Sequence, residues 1–198
     1  TTAGTASEAT INYVITDETR KVKMVIVDKN SMASIAINDA NLMVDMPKTL
    51  TAATGMDALT HAIEGYITAG ATEFSDMFNL EAIRVIAANL QQAVENGKDI
   101  TAREQMAYGQ FVTGMGFSNC GLGIVHSLAH QLGGFYDLPH GICNAIILPH
   151  VMEYNKDACG DKFIKIAEAM GIETSNMTPE EAKTAAIDAV KALSKAVG

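Results

Sequence analysis

The sequence predicts a mainly α-helical chain that starts with a short β-rich segment. Residues 10–16 and 22–27 are rich in β-branched side chains and are separated by a polar turn, a pattern typical of strands. From Thr49 onward the apolar residues recur with helical spacing instead. Eleven Met, few aromatic residues and no Trp are typical of helices packed through small and pliable side chains. We therefore divide the chain into residues 1–47 and 48–198.

The first segment is predicted to hold only a few short strands. A third apolar run, at residues 34–38, is expected to form another strand, and Pro47 ends the region. Three short strands are too few to make a complete doubly wound α/β domain. We therefore expect residues 1–47 to be the remnant of a larger domain.

The second segment is predicted to be helical throughout. Its first helix should begin with a threonine cap, Thr49 or Thr51, and end near Ile67. Residues 114–123 are punctuated by Gly, which predicts a break or a close contact between helices. Pro149 is expected to interrupt a short helix. The predicted helices after the first cover residues 74–95, a segment from Thr101, a segment around His126 that ends near Gly133, residues 141–148, residues 161–170, and residues 179–197 with Thr178 as N-cap.

Composition and charge exclude several classes of function. The formal net charge of −9 and the lack of a basic stripe argue against nucleic acid as a partner, because such binding depends on releasing counterions from phosphates. No apolar run reaches the roughly 18 residues that span a bilayer, and the start lacks the features of a signal peptide. We therefore expect a cytoplasmic protein with no membrane partner.

The cysteines and one histidine are expected to be structural. Cys120, Cys143 and Cys159 are an odd number without a CxxC pair, which predicts reduced thiols. Cys143 follows a histidine by three residues and is an alternative soft metal ligand, but a buried small residue is the favoured interpretation. His150 fits no ligand pattern.

Two pairs of polar residues have the spacing of helical metal ligands. Asp57 and His61 are four residues apart, so they project from one helix face one turn apart. His126 and His130 repeat this spacing, and His140 follows a Pro. One carboxylate with imidazoles suits Fe²⁺, Zn²⁺, Mn²⁺ or Co²⁺, whereas Ca²⁺ and Mg²⁺ prefer oxygen ligands. One such pair arises by chance in Ala-rich helices, but two pairs with His140, in a chain of five His, favour one divalent metal site.

The chain starts with a hydroxyl-rich turn, Thr-Thr-Ala-Gly-Thr. Hydroxyl groups donate hydrogen bonds and Gly lets the backbone approach a ligand, which suits contact with a phosphate or ribose. An ordinary loop in which Thr5 and Glu8 form a capping box is an equally weighted alternative.

Several motifs, in this order, resemble those of the iron-containing alcohol dehydrogenases, also called group III. The matching motifs lie at residues 1–5, 38–43, 51–64, 123–133 and 138–141. The resemblance spans essentially the whole chain, and its last three motifs are highly specific. It implies a helical metal-binding catalytic domain at residues 48–198, incomplete at its C-terminal end, of the dehydroquinate synthase-like kind. Residues 1–47 would then be the remnant of an α/β dinucleotide-binding domain.

The resemblance also implies roles for individual residues. Four metal ligands are implied for Fe²⁺ or Zn²⁺, namely Asp57, His61, His126 and His140. His130 would be an unliganded catalytic residue near the reacting carbon, where it helps to relay a proton. The pocket for NAD(P) would be lined by Thr1, Thr2, Thr5 and, as a weaker inference, Lys23. Ala6 stands where many members carry Gly.

The implied activity is hydride transfer between a nicotinamide cofactor and a small alcohol or aldehyde. Glu64 to Tyr66 and Gly116 to Asn119 favour family members of the lactaldehyde, 1,2-propanediol or 1,3-propanediol class. The sequence leaves open whether the chain also forms a homo-oligomer with further copies of itself. The Gly-Gly-Gly-Ser turn that family members carry before this region and a further helical segment after it are absent from the 198 residues. We therefore expect the chain alone to have no dehydrogenase activity.

Two rival interpretations remain. A metal-dependent lyase like dehydroquinate synthase joins similar domains but is expected to use a Glu and two His, so the Asp57 and His61 pair argues against it. A non-enzymatic metal-binding helical module would bind metal but gain nothing from a dinucleotide-binding half.

Overall fold

The computed structural model describes residues 2–198 and confirms a mainly helical fold. Within that range two strands form an antiparallel hairpin and seven α-helices follow. The strands are β1 (Asn12–Asp17) and β2 (Val22–Val27), and the helices are α1 (Lys48–Ile67), α2 (Glu73–Glu95), α3 (Ile100–Cys120), α4 (Ile124–Tyr136), α5 (His140–Asn155), α6 (Lys162–Ala169) and α7 (Pro179–Val197). None of the helices described is long and apolar enough to cross a membrane.

The hairpin exposes apolar side chains on both of its faces. Its register pairs Asn12 with Val27 and Asp17 with Val22. Six apolar residues are between 42% and 60% exposed, namely Tyr13, Val14, Ile15, Val25, Ile26 and Val27. Since neighbouring strand residues point to opposite faces, the helices do not cover either face completely.

The third predicted strand, residues 34–38, is wrong. This run has no regular secondary structure, and Ile35 and Ile37 are 82% and 86% exposed. A strand needs a neighbouring strand for its backbone hydrogen bonds, and no described strand pairs with this run. A single 3₁₀ turn, Ala40–Met43, leads from it to the first helix.

Helix α1 lies at the centre of the fold. It packs against α2, α3 and α5, and almost all of its residues from Thr51 to Tyr66 are buried. The predicted threonine cap is wrong, because Pro47 occupies the N-cap position and no side chain caps the helix there. The Thr51 hydroxyl instead donates back to the Pro47 carbonyl oxygen, 3.1 Å away. The predicted end at Ile67 is confirmed.

Two further boundaries differ from the predictions. Helix α3 begins at Ile100, one residue before the predicted Thr101, and is capped by Asp99, whose side chain accepts from the Ala102 N–H. Helix α5 continues through Pro149 instead of being interrupted there. Buried residues on both sides of this proline, Leu148 and Met152, keep the helix packed despite the lost backbone hydrogen bond.

Glycines in α3 permit close contacts rather than a break. The helix runs unbroken to Cys120. A Cβ at Gly116 would lie 2.1 Å from the Asn79 Oδ1 atom of α2, so only glycine allows this approach. The predicted close contact between helices is therefore confirmed, and the chain leaves the helix only at Gly121, where φ is +85°.

Candidate metal centre

Helix α1 supplies the first acid and histidine of the site. Asp57 and His61 lie one turn apart near its middle, and both side chains are buried. The Nδ1 atom of His61 lies 2.9 Å from the backbone oxygen of Asp57, to which it can donate a hydrogen bond. That bond leaves the lone pair of His61 Nε2 available to a ligand.

Helices α4 and α5 bring two more histidines to Asp57. His126 Nε2 lies 3.6 Å from Asp57 Oδ1, and His140 Nε2 lies 3.5 Å from the same oxygen. Potential ligand atoms of Asp57, His61 and His126 all lie within 4.8 Å of one another. The four residues that the family resemblance implies are therefore close together in space, three fully buried and His140 partly exposed.

The close packing of α5 on α1 positions His140. A Cβ at Gly141 would lie only 2.2 Å from the Ala53 carbonyl oxygen of α1. Any other residue would push the start of α5 away from α1. The Leu-Pro-His-Gly motif thus contributes a candidate ligand, His140, and in the next residue the space that the position of His140 requires.

Potential ligand atoms of the site converge on the side-chain amide of Asn144. Its Nδ2 atom lies 2.6 Å from Asp57 Oδ1 and 3.2 Å from the Nε2 atoms of both His126 and His140. An amide nitrogen has two N–H groups, so it cannot donate to all three of these atoms. Asn144 Oδ1 and His140 Nδ1 are buried without a hydrogen-bond partner. One carboxylate oxygen and two imidazole nitrogens grouped around one partial positive charge form an environment that fits a divalent cation.

A second buried acid, Glu64, supports His126 from behind. Glu64 Oε2 lies 2.6 Å from His126 Nδ1, and the carboxylate also accepts the backbone N–H groups of Val125 and His126 at 2.7 and 3.2 Å. Sequence reasoning missed both Glu64 and Asn144. The available signals were spacings: Glu64 lies seven residues after Asp57 on α1, and Asn144 lies four after His140 on α5.

Burial and neighbouring charges shift the pKa values of the site. Burial raises the pKa of Asp57, but His61 and His126 beside it outweigh this and hold it below its ordinary value. Burial, reinforced by repulsion from His126, lowers the pKa of His61 to about 3. Burial opposes charging of His126 too, yet the Asp57 and Glu64 carboxylates raise its pKa to about 9. Burial likewise lowers the pKa of His140.

A cavity of about 530 Å³ lies over these residues. His61, His126 and His140 lie on its inner wall beside Phe117, whose ring stacks on His61 with centroids 4.6 Å apart. His130 also lines it, with its ring centroid 5.1 Å from that of His140. Burial lowers the pKa of His130 to about 4, so this ring is neutral at pH 7.

The residues predicted to bind the cofactor are only partly brought together. Thr5 and Lys23 line the cavity, Thr2 is not among its lining residues, and Thr1 lies outside the described residues. Residues 5–8 form no helix, so Thr5 and Glu8 make no capping box. Ala6 has φ of +50°, in the left-handed region where glycine is favoured.

The other predicted structural residues lie away from the ligands. Cys143 is buried and does not belong to the group of ligand atoms, in agreement with the favoured interpretation. Cys120, Cys143 and Cys159 are all free thiols. His150 is exposed on α5.

Comparison with known proteins identifies the family. Residues 51–198 match the C-terminal part of the Fe-containing alcohol dehydrogenase family. The whole chain is 56% identical to 51% of the lactaldehyde reductase of Escherichia coli K12. It is 49% identical to 52% of the NAD-dependent methanol dehydrogenase of Bacillus methanolicus. The whole fold also superimposes on 52% of a crystal structure of 1,3-propanediol oxidoreductase, with a TM-score of 0.97 and 51% identity.

These matches agree with the site geometry. The chain spans about half the length of the curated relatives it matches. The matched family region contains the Asp57, His61 and His126 group together with His140. The chain therefore belongs to the iron-containing alcohol dehydrogenase family.

Proposed function

We propose that this chain supplies the metal-binding part of an alcohol dehydrogenase that transfers hydride between a nicotinamide cofactor and a small alcohol or aldehyde. The observation that carries the proposal is the grouping of the buried Asp57 carboxylate with His61 and His126, and with His140 beside the same carboxylate, beneath a cavity. Asp57, His61, His126 and His140 would hold Fe²⁺ or Zn²⁺. A bound metal would act as a Lewis acid toward the substrate oxygen.

The residues around the cavity suit the remaining tasks. The nicotinamide carries the hydride, so the protein needs only to place it against the substrate carbon. Thr2, Thr5 and Lys23 are proposed as cofactor contacts, supported by the position of two of them on the cavity wall. His130 is neutral at pH 7 and lies next to His140, so it can accept and return a proton there.

The two segments are proposed to have separate roles. Residues 1–47 would belong to a dinucleotide-binding domain, and residues 48–198 would form the helical metal-binding domain. The exposed apolar faces of the hairpin support the first assignment, because a strand pair inside a larger sheet would be covered. The hairpin residues Asn12, Val14 and Thr16 also line the cavity, as the wall toward a cofactor would.

A small diol or hydroxyaldehyde is the proposed substrate class. Lactaldehyde and 1,3-propanediol appear in the names of proteins about half identical to this chain. The cavity wall combines apolar groups, Phe117 and Leu122, with hydroxyls from Ser7 and Thr10. We also propose a cytoplasmic location, supported by the three free thiols, which suit a reducing compartment.

Metal content tests the site. The purified chain is loaded anaerobically with Fe²⁺ or Zn²⁺, washed, and analysed by mass spectrometry. We expect about one metal per wild-type chain and none in the double variant Asp57→Ala/His126→Ala, since two of the four ligands are gone. The control Glu104→Gln removes an exposed charge from α3 and should retain the metal. Metal retained by the double variant would contradict the ligand assignment.

A chimaera tests the dehydrogenase activity. The chain is joined to the segments of the E. coli lactaldehyde reductase that flank the matched region, and NADH oxidation is followed with lactaldehyde. We expect activity in the chimaera, none in the chain alone, and none in the chimaera with Asp57→Ala. A chimaera that binds metal but oxidises no NADH would favour the non-enzymatic module.

A further inference from the structure

We propose that Glu64 is a positioning residue that fixes the tautomer of His126 and thereby makes its Nε2 atom a metal ligand. This inference rests on the proposed metal centre, because it assigns a role to a residue that touches a ligand rather than the cation. Glu64 is buried on α1, two turns from Asp57, and its carboxylate points at the start of α4.

The two oxygens of the Glu64 carboxylate accept three hydrogen bonds. Oε1 accepts the Val125 N–H at 2.7 Å, and Oε2 accepts the His126 N–H at 3.2 Å and the His126 Nδ1–H at 2.6 Å. A group that only accepts is required here, since all three partners are donors. An ionised carboxylate meets this requirement and an amide does not.

The bond to Nδ1 determines what the other ring nitrogen can do. A neutral imidazole carries its proton on one nitrogen and a lone pair on the other. With the proton held on Nδ1 by Glu64, the lone pair lies on Nε2. That atom is the one 3.6 Å from Asp57 Oδ1, on the side of the ligand cluster. Glu64 thus orients the ring and selects the nitrogen that can bind a cation.

The structure also leaves space for this carboxylate. Helix α4 has no side-chain cap of its own, because Gly123 stands at its N-cap position. A Cβ at Gly123 would lie 2.7 Å from Glu64 Oε1. The N–H groups in the first turn of α4, which have no partner within the helix, are therefore satisfied by an acid from another helix.

The substitution Glu64→Gln separates the two functions of this acid. If its oxygen takes the Oε1 position and accepts the Val125 N–H, its NH₂ faces the His126 N–H and Nδ1 and shifts the imidazole proton to Nε2, where it blocks metal binding. If the amide is reversed, its NH₂ faces the Val125 N–H and the start of α4 loses a partner. Neither orientation of the amide can accept all three hydrogen bonds that the carboxylate accepts.

The dissociation constant for Zn²⁺, measured by competition with a chelator, tests the proposal. We expect Glu64→Gln to weaken binding by about 10- to 100-fold, as substitutions of groups that orient metal-bound histidines typically do. The charge-matched control Glu104→Gln should bind like the wild type. In the Zn²⁺-loaded wild-type chain, ¹H–¹⁵N NMR should show the His126 Nδ1–H proton, and the same signal should be weaker or missing in Glu64→Gln, because only one of the two amide arrangements accepts that proton.

A double-mutant cycle distinguishes a positioning role from simple anchoring of α4. If Glu64 acts through His126, then Glu64→Gln should change the Zn²⁺ affinity of a His126→Ala chain by less than about twofold. The same loss in both backgrounds would overturn the proposal, because it would mean that Glu64 acts by holding the helix. If circular dichroism shows that Glu64→Gln does not fold, Glu64→Asp replaces it in the wild-type chain and in the His126→Ala chain. In the wild-type chain Glu64→Asp should weaken Zn²⁺ binding by at least about threefold.

Failure of the inference and failure of the proposed function have different signatures. A wild-type chain that takes up no Zn²⁺ contradicts the metal centre itself. Equal Zn²⁺ affinity in wild type and Glu64→Gln contradicts only the role of Glu64.

Discussion

The helical part of the molecule buries its large apolar side chains, whereas the β-hairpin leaves many of its own exposed. Around α1 the large apolar side chains are almost completely buried, and the acids and histidines among them contact one another. In the hairpin, six apolar side chains are between 42% and 60% exposed. The comparison indicates that the core around α1, which also includes Ala3 and Met43, buries Asp57, His61 and His126 but not the hairpin side chains. The hairpin contributes a cavity wall but little of that core.

The contact between the two regions is narrow and depends on glycine. A Cβ at Gly134 of α4 would lie 3.0 Å from the Lys23 backbone nitrogen and 3.1 Å from the Lys21 carbonyl oxygen. Backbone therefore meets backbone where α4 supports β2. This contact places Lys23 on the cavity wall with His130 and His140. The charge of Lys23 contributes to lowering the pKa of both histidines.

The largest effect is expected from truncating an apolar residue in the helical core. Ile63 of α1 is completely buried. Ile63→Ala should lower the free energy of unfolding by about 2 to 5 kcal/mol, because it removes buried methyl groups and leaves a cavity. Urea denaturation followed by circular dichroism measures this loss. A loss below about 1 kcal/mol would mean that α1 is not the centre of the core.

A somewhat smaller loss is expected where α5 meets α1. Gly141→Ala places a methyl group against the Ala53 carbonyl oxygen, and such overpacking typically costs about 1 to 3 kcal/mol. Since His140 precedes this residue, Zn²⁺ affinity should fall as well. The control Ile146→Ala, on an exposed position of α5, should change neither quantity appreciably. Unchanged Zn²⁺ affinity in Gly141→Ala would show that His140 does not depend on this contact.

The stability of the metal-free chain is expected to pass through a maximum near pH 6.5. The pKa of His61 falls to about 3 in the folded chain, so the unfolded chain binds more protons between pH 3 and 6.5, and stability rises with pH there. The pKa of His126 rises to about 9, so the folded chain binds more protons between pH 6.5 and 9, and stability falls. Urea denaturation at a series of pH values measures both arms.

The alkaline arm of this profile can be assigned with one variant. His126→Gln should flatten the decrease between pH 6.5 and 9, because the group that binds the extra proton is gone. The acid arm should remain, since His61 and Asp57 still favour folding as the pH rises from 3. An unchanged alkaline arm would show that His126 does not carry the raised pKa.

The smallest effect is expected in the hairpin. Ile26→Ala makes the same truncation as Ile63→Ala, but Ile26 is 45% exposed. The free energy of unfolding should change by no more than about 0.5 kcal/mol, as for most surface substitutions. A loss as large as that of Ile63→Ala would contradict the comparison, because it would place the hairpin within the cooperative core.

The sequence alone predicted those features that depend on neighbours along the chain. Asp57 and His61 had to share a face, since four residues make about one helical turn. Thr178 was predicted as the N-cap of α7, and its side chain does accept from the Glu181 N–H there. The antiparallel hairpin followed from two β-branched runs and a polar turn. The prediction of a third strand at residues 34–38 is wrong because a β-branched run forms a strand only beside another strand, which local sequence does not reveal.

Tertiary structure decided the rest of the site. Glu64 and His126 are 62 residues apart, and Asn144 and Asp57 are 87 apart, so no local pattern could pair them. Their contacts depend on how closely α4 and α5 pack on α1, which in turn depends on glycines at positions 123 and 141. Residue spacing determined which side chains share a helix face. The packing of the helices decided which faces meet, because burial and steric contact act between segments that are distant in sequence.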